Sequence, residues 1–506
     1  MGIIRAAVGA LKECEPGSFA RNLDAVRGEI TSAALSGAGI LVLPARALCG
    51  DAARGFLTMR AFTDGCEHAL QKTAAFLKGK AITVLLGSAL RIEDTVTDIT
   101  AVLARGKLLA VITPKPLADE ITVGGFAVPC GPNIILKNIT DADITVAVTD
   151  GRDFASALPA LTGSGVNVLA VLCGRAKIDA CVSTAELMRV SSHMYKCAIM
   201  HTDGIIAENG ELLANSPGKT AIAEIDAHRL NFARAVAAAS VKNDAHRAYV
   251  DIAVPPCKTL SAPPERLPLI PANILGLAEA EAHITQALCG LIKPDAPLVI
   301  TAPDLVGLTA GLLTARRAKT RSGCSKKLYA VQCAEFGTPA ITDALARATD
   351  TEFITADDYA GDGAQILDCT DYTRYGMNGA LGIGVPVLRA FPHTFLRGLI
   401  KYYSVQGFAA PPPGVIAEIV GSNIYADLEL ADFFIHAVLL RGDTAEKALF
   451  RAAAAFPELA QTAVKKLFRE FTTAFFGSGA AVFPEPPFDT AKAYARADAG
   501  FMLPGL

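Results

Sequence analysis

No stretch of this 506-residue chain reaches the roughly 18 to 20 consecutive apolar residues that a bilayer-spanning helix requires, although hydrophobic residues make up 51% of it. The N-terminal MGIIRAAVGALKECEPG lacks a basic region followed by a sustained apolar block, and Ala6 stands where a myristoylation signal needs Ser or Thr. The composition therefore predicts a soluble, cytoplasmic protein with no membrane partner. An excess of one charge is also missing: 47 basic against 50 acidic residues leave a formal charge of -3. Nucleic-acid binding needs a basic surface that displaces counterions, so nucleic acid is excluded as a partner. The 12 cysteines, scattered from Cys14 to Cys369, include no C-x-x-C pair and no His-Cys cluster at ligand spacing, and the eight histidines form no H-E-x-x-H. These absences argue against a disulfide framework and a zinc site, and no metal is expected.

What is present is alternating α/β order. The length predicts two to three domains. Phe19, Leu23, Val26, Ile30 and Ala34 recur at helical spacing behind Ser18, a candidate N-cap, and Gly37 and Gly39 end that helix. Ile40 to Leu43 reads as a strand, Ala53 to Leu77 as a helix, and Ile82 to Leu86 as the next strand. Arg105-Gly106 and Asn209-Gly210 read as hairpin turns, because glycine and asparagine tolerate positive φ. Ile144 to Val148 and Val166 to Leu172 read as buried strands separated by a helix. The prolines of PPCKTLSAPPERLPLIP, from Pro255 to Pro271, remove backbone donors and mark a domain linker. Beyond it, a helix over Ile274 to Leu291, a strand over Leu298 to Thr301, a helix over Leu308 to Ala318 and a strand over Leu328 to Cys333 fit a small parallel sheet. Helical spacing over Leu428 to Leu440, Thr444 to Ala455 and Glu458 to Phe476 predicts an all-helical tail.

The segments ILVLPARALCGD, LLAVITPKPLAD, VPCGPNIIL, ITVAVTDGRDF and IIAENGELLANSP, in that order, resemble the nitrilase-like glutaminase domain of glutamine-dependent NAD synthetases. AVQCAEFGTP, AFPHTFLRGLIKYY and DLELADFFIHAVLLRGDTAEKALFRAAAAF resemble that family's ATP-pyrophosphatase synthetase domain. The resemblance implies an α-β-β-α sandwich over residues 1–240, a linker over 241–275, and a doubly wound parallel-sheet domain with a helical C-terminal tail over 276–506. It also implies a homo-oligomer, in which part of the apolar tail surface, including Leu430, Phe433, Phe434, Ala437, Leu440, Leu467, Phe468, Phe471 and Phe475, could face another subunit.

The resemblance fails where the chemistry should be. Such amidases use a glutamate base, a lysine that steadies the oxyanion and a cysteine nucleophile. Those positions match Ala45, Lys115 and Thr149, so only the lysine is kept. The synthetase's glycine-rich phosphate loop matches Thr301, Ala302, Pro303 and Asp304, where Ala302 and Pro303 replace both glycines and Pro303 has no N–H to offer a phosphate. Asp304 reads better as a loop or N-cap aspartate than as a ligand. Phe336-Gly337-Thr338 and Pro392-His393-Thr394 read as a retained turn and helix start, and the shortened region Thr351 to Tyr375 departs from the family's deamido-NAD and metal contacts. Cys173, Cys197 and His193 read as packing residues rather than a replacement thiol site.

Three functions remain open from the sequence. One is an NAD synthetase-like pseudoenzyme with no cofactor, serving as a structural or regulatory subunit in a homo-oligomer or a hetero-oligomer with an intact NAD synthetase. Another is an active ligase that uses displaced residues such as Lys115, Asp150 and Asp304 with ATP and Mg. The third is a small-molecule binding module.

Overall fold

The computed structural model describes residues 2–11, 14–50, 53–140, 142–151, 154–173, 183–237, 248–271, 273–331, 338–355, 363–378, 384–408, 411–421 and 426–477. The chain divides into two compact units, Met1–Ser261 and Ala262–Leu506.

The first unit opens with β1 (Ile3–Val8), α1 (Phe19–Leu35), β2 (Ile40–Val42), α2 (Arg60–Phe76) and β3 (Thr83–Ile92). Strands β4 (Thr95–Ala104), β5 (Lys107–Ile112), β6 (Glu120–Val123), β7 (Phe126–Gly131), β8 (Ile134–Asn138) and β9 (Thr145–Asp150) follow. Next come α3 (Phe154–Gly163), β10 (Val168–Leu172), α4 (Thr184–Tyr195) and β11 (Ala198–His201). The unit ends with β12 (Ile205–Glu208), β13 (Glu211–Asn215), β14 (Ala221–Asp226), α5 (Ala227–Ala237) and β15 (Ala248–Ile252). One sheet has the order β14-β1-β2-β3-β4-β5-β7-β6, the other β13-β12-β11-β10-β9-β8-β15. The edge strand β15 comes from within residues 241–275 and pairs in parallel with β8.

The period-two alternation of strand side chains builds the layers. Ile4, Ala6, Val8, Ile40 and Val42 of one sheet meet Leu136, Val146, Val168 and Ala170 of the other in a shared core. Their neighbours Ala7, Leu41 and Val84 point the other way, onto Val26, Ile30 and Leu70 of α1 and α2. On the far side, Ala147, Leu169, Val171 and Ile199 pack on Phe154 and Leu158 of α3 and Met188 of α4. The result is the expected α-β-β-α sandwich. Both hairpin turns form where glycine predicted them, with φ of 50° and 84° at Arg105 and Gly106, and 46° and 93° at Asn209 and Gly210.

Two local expectations change. Ser18 does precede α1, yet its hydroxyl donates to Glu15 rather than capping the helix. The second helix begins at Arg60 instead of Ala53, because Ala53–Gly55 forms a separate 3₁₀ turn ahead of it.

The second unit carries α6 (Ile274–Leu291), β16 (Leu298–Thr301), α7 (Leu305–Ser322), β17 (Leu328–Val331), α8 (Pro339–Thr349), β18 (Thr351–Ile354) and β19 (Gln365–Asp368). It continues with α9 (Tyr372–Asn378), β20 (Val385–Pro386), α10 (His393–Gln406), α11 (Pro413–Gly421), α12 (Ala426–Phe434), α13 (Ala445–Ala455) and α14 (Gln461–Gly477). Its five strands are ordered β18-β17-β16-β19-β20, and every pairing is parallel. Strand order reverses between β16 and β19, so the loops after these strands flank the crevice where open α/β sheets hold ligands.

The tail forms helices as expected, with one π turn over Ile435–Leu440 at the end of α12. Its apolar face is consumed inside the unit: Leu430, Phe433, Phe434, Ala437, Leu467, Phe468, Phe471 and Phe475 are all buried in one aromatic core. Of the residues considered for a subunit contact, Leu440 alone is exposed. No helix among the described residues is long and apolar enough to cross a membrane.

Candidate functional site

In the first unit β9, β10 and β11 run parallel, as do β1, β2 and β3, so the loops at their C-terminal ends can carry a site. Ala45 lies in the turn after β2, and its N–H donates to the carbonyl of Cys173, the residue following β10 (3.2 Å). Thr149 stands opposite Val171 near the same end of β10. Gly87 lets β3 run beneath the Ala45 turn, since a Cβ there would lie 2.4 Å from the Ala45 Cα. Two of the three amidase-matching positions thus flank the end of one strand. Neither supplies the chemistry: Ala45 offers a methyl group, and the Thr149 hydroxyl donates to the carbonyl of Asp150 (3.2 Å). Lys115 follows β5 with an exposed side chain, and its carbonyl accepts from the Thr113 hydroxyl (2.7 Å).

The same strand ends hold a different pair. Cys173 Sγ lies 3.2 Å from Nε2 of His201, the last residue of β11. On the other side of the ring, Nδ1 accepts from the Asp203 N–H (3.2 Å), and the Asp203 carboxylate lies 3.6 Å from it. The Cys173 N–H donates to the Thr202 hydroxyl (2.9 Å). Gly151 makes room for the thiol, because a Cβ at that position would sit 2.1 Å from the sulfur. Burial, together with the carboxylates of Asp203 and Asp150, pushes the Cys173 thiol up to about 11. Burial holds the His201 imidazole below its ordinary value against the opposing pull of Asp203. The resting pair is a neutral thiol facing a neutral imidazole.

Cys173 packs against the core beneath α3 and α4, as expected, and also meets His201. Cys197 is a packing residue as well: it is fully buried, and burial pushes its thiol up to about 12. His193 is exposed and faces the Asn209 carbonyl instead of a thiol. The histidine that Cys173 meets lies 28 positions on, at the end of the adjacent parallel strand.

In the second unit, Thr301 ends β16 and its hydroxyl donates to the Leu367 carbonyl (3.4 Å). Ala302 and Pro303 form the turn, and Asp304 is the N-cap of α7, accepting from the Gly307 N–H (2.7 Å). The N-cap reading of Asp304 is what forms. Its second oxygen pairs with the Arg374 guanidinium of α9. His393 begins α10, as a helix-start residue, and its buried Nδ1 lies 2.9 Å from Asp371 and 3.9 Å from Asp304. Burial alone would lower the His393 pKa, but the hydrogen bond and charge of Asp371, with the charge of Asp304, raise it above its ordinary value. Burial and the neighbouring Asp371 raise that of Asp304. Asp432 adjoins this cluster: it accepts from the Thr373 hydroxyl and from the Thr394 N–H (2.6 Å), and burial pushes it up to about 6. Phe336 and Gly337 fall outside the described residues.

Asp304, Asp371 and His393 have ligand atoms within 4.8 Å of one another, a donor set that a divalent cation could use. Arg374 already neutralises Asp304, and His393 already bonds Asp371, so the cluster is balanced from within. The α7 N-terminus, where N–H groups would receive a ligand phosphate, is occupied by the chain's own carboxylate.

Among solved structures, the chain is similar to a glutamine-dependent NAD(+) synthetase from Cytophaga hutchinsonii, with 11% identity, 94% of this chain and 93% of that chain covered, and a TM-score of 0.38. It is also similar to glutamine-dependent NAD+ synthetase from Acinetobacter baumannii, solved with adenosine diphosphate, at 14% identity, 93% coverage of each chain and a TM-score of 0.37. Nit3 of Saccharomyces cerevisiae, a nitrilase-superfamily member, is 13% identical over 46% of this chain and 94% of its own, with a TM-score of 0.38. No family model matches the chain, and no curated protein matches it by sequence.

Proposed function

We propose that this chain is an NAD synthetase-like protein that keeps the two folds of the glutamine-dependent enzymes without their glutaminase or ATP-pyrophosphatase chemistry, and that it serves as a structural or regulatory subunit. The family assignment rests on the ordered segments from ILVLPARALCGD to DLELADFFIHAVLLRG. The loss of chemistry rests above all on Asp304. Its carboxylate caps α7 and pairs with Arg374, so the helix end that would cradle ATP phosphates holds an anion that cannot leave. Pro303 has no N–H, and Ala302 adds a side chain where close backbone approach is required. The residues at this position do not fit Mg-ATP. In the first unit, Ala45 and Thr149 leave the amidase position without an acid-base carboxylate or a thiol.

A subunit role predicts association, either as a homo-oligomer or with an intact NAD synthetase. Light scattering coupled to size-exclusion chromatography, with the protein alone and mixed with such an enzyme, should give a mass above the 52.7 kDa of one chain in at least one run. A strict monomer in both would contradict the subunit role.

A further inference from the structure

Two cysteines that the proposed subunit role does not use come together beside the turn after β2. Cys49 lies in that turn, where its N–H and that of Gly50 donate to the Arg46 carbonyl (3.2 and 2.8 Å), and Cys66 lies on the buried face of α2. Neither has any exposed surface, and both pack in one small cluster with Ala53, Phe62 and Ala89. Within it the two thiols are hydrogen-bonded to each other. We propose that Cys49 and Cys66 form a dithiol site that a small hydroperoxide oxidises to an intramolecular disulfide, tying the turn that carries Ala45 to α2.

A disulfide forms without backbone movement only where the fold already brings two sulfurs face to face, and here it does. The hydrogen bond also sets the order of events. The Cys49 S–H donates to the Cys66 sulfur, which holds the Cys66 thiol below its ordinary value against the opposing effect of burial, while the same bond, with burial, pushes Cys49 up. Cys66 is therefore the thiolate that reacts first. Its sulfur attacks one oxygen of the peroxide, the O–O bond breaks, and the departing hydroxide takes up the proton that Cys66 gave, leaving as water. The Cys49 sulfur then attacks the sulfur of the resulting sulfenic acid, the S–S bond forms, and the hydroxyl leaves with the Cys49 proton as a second water. The two thiols lose two electrons and the peroxide gains them.

The class of oxidant follows from the cover over the pair. Phe62 is buried in the cluster, and Phe56, stacked against it with ring centroids 5.7 Å apart, is 46% exposed, so the thiols lie behind aromatic rings. A molecule little larger than water can pass such a cover, whereas a bulky disulfide cannot reach the sulfur it must exchange with.

The test exposes the native full chain to hydrogen peroxide or to glutathione disulfide, alkylates the remaining thiols in denaturant, and maps tryptic peptides without reduction. With peroxide, the peptide Ala47–Arg54 should be found joined to Ala61–Lys72, lighter by two hydrogen atoms than the separate pair and released by dithiothreitol. Glutathione disulfide should leave both thiols open to alkylation after the same exposure. Closing the loop between Cys49 and Cys66 constrains the unfolded chain, so the melting temperature of the peroxide-treated protein should rise by roughly 5 to 10 °C, a rise lost in Cys66→Ala. Peroxide that leaves both thiols alkylated, or that joins either to another cysteine, would overturn the proposal. A bond that forms without raising the melting temperature would contradict the tie between turn and helix, and one formed as readily by glutathione disulfide would contradict the choice of oxidant. Peptide mapping uses the unmodified protein, so the outcome stands even if Cys66→Ala folds poorly.

Discussion

Asp432 is a carboxylate with two hydrogen bonds and almost no water. Because it is pushed up to about 6 from an ordinary value of 3.8, its ionised form is disfavoured by folding. The proton-linked stability is fully present below the unfolded value and is lost as pH rises through the folded one, so the window runs from about pH 4 to 6. The size is about 3 kcal/mol, because a tenfold change in proton affinity corresponds to roughly 1.4 kcal/mol. Asp432→Asn cannot ionise, and relative to the unmodified protein it should gain stability by that amount across this window. Urea unfolding at either end of the window checks this, and a difference independent of pH would contradict it.

At the same scale, legibility depended on how local each role is. The N-cap role of Asp304 could be read from sequence because capping is decided within three residues, by the carboxylate and the Gly307 N–H. The Arg374 and His393 contacts that fix its second oxygen come from α9 and α10, about 70 and 90 positions on, and no spacing announces them. The pairing of Cys173 with His201 was hidden for the same reason: it depends on β10 and β11 lying side by side in register.

Among elements, apolar periodicity located helices and strands well, since α1 and α6 begin and end where it predicted. It could not say what would cover an apolar face. The tail helices looked able to serve a subunit contact, yet α12, α13 and α14 satisfy one another through Phe433, Phe434, Phe456, Phe468 and Phe471. Close packing of β3 beneath the Ala45 turn was also invisible. It gives the element-scale prediction that Gly87→Ala destabilises the first unit by about 1 to 3 kcal/mol, because the new methyl would meet backbone atoms 2.4 to 2.6 Å away. A melting temperature unchanged by this substitution would show that the turn can move aside.

For the whole molecule, each unit carries cores of its own. The first unit is stabilised by a core between its sheets and by one beneath each helical layer, none of which uses Ala45, Lys115 or Thr149. The second is stabilised by a parallel-sheet core and an aromatic helical core, independently of any nucleotide. The order of segments made the fold class legible. The internal ion network of Asp304, Arg374, His393 and Asp371 required coordinates.

The most direct measurement is NAD formation from deamido-NAD and Mg-ATP by the purified protein, with glutamine or with ammonia as the nitrogen source. The proposed reading predicts no NAD above the uncatalysed background with either, whatever the source of ammonia, since the Asp304 carboxylate caps α7 and pairs with Arg374. NAD formed with ammonia and abolished by Asp304→Asn would contradict the account, showing that this carboxylate serves the reaction instead of filling its site.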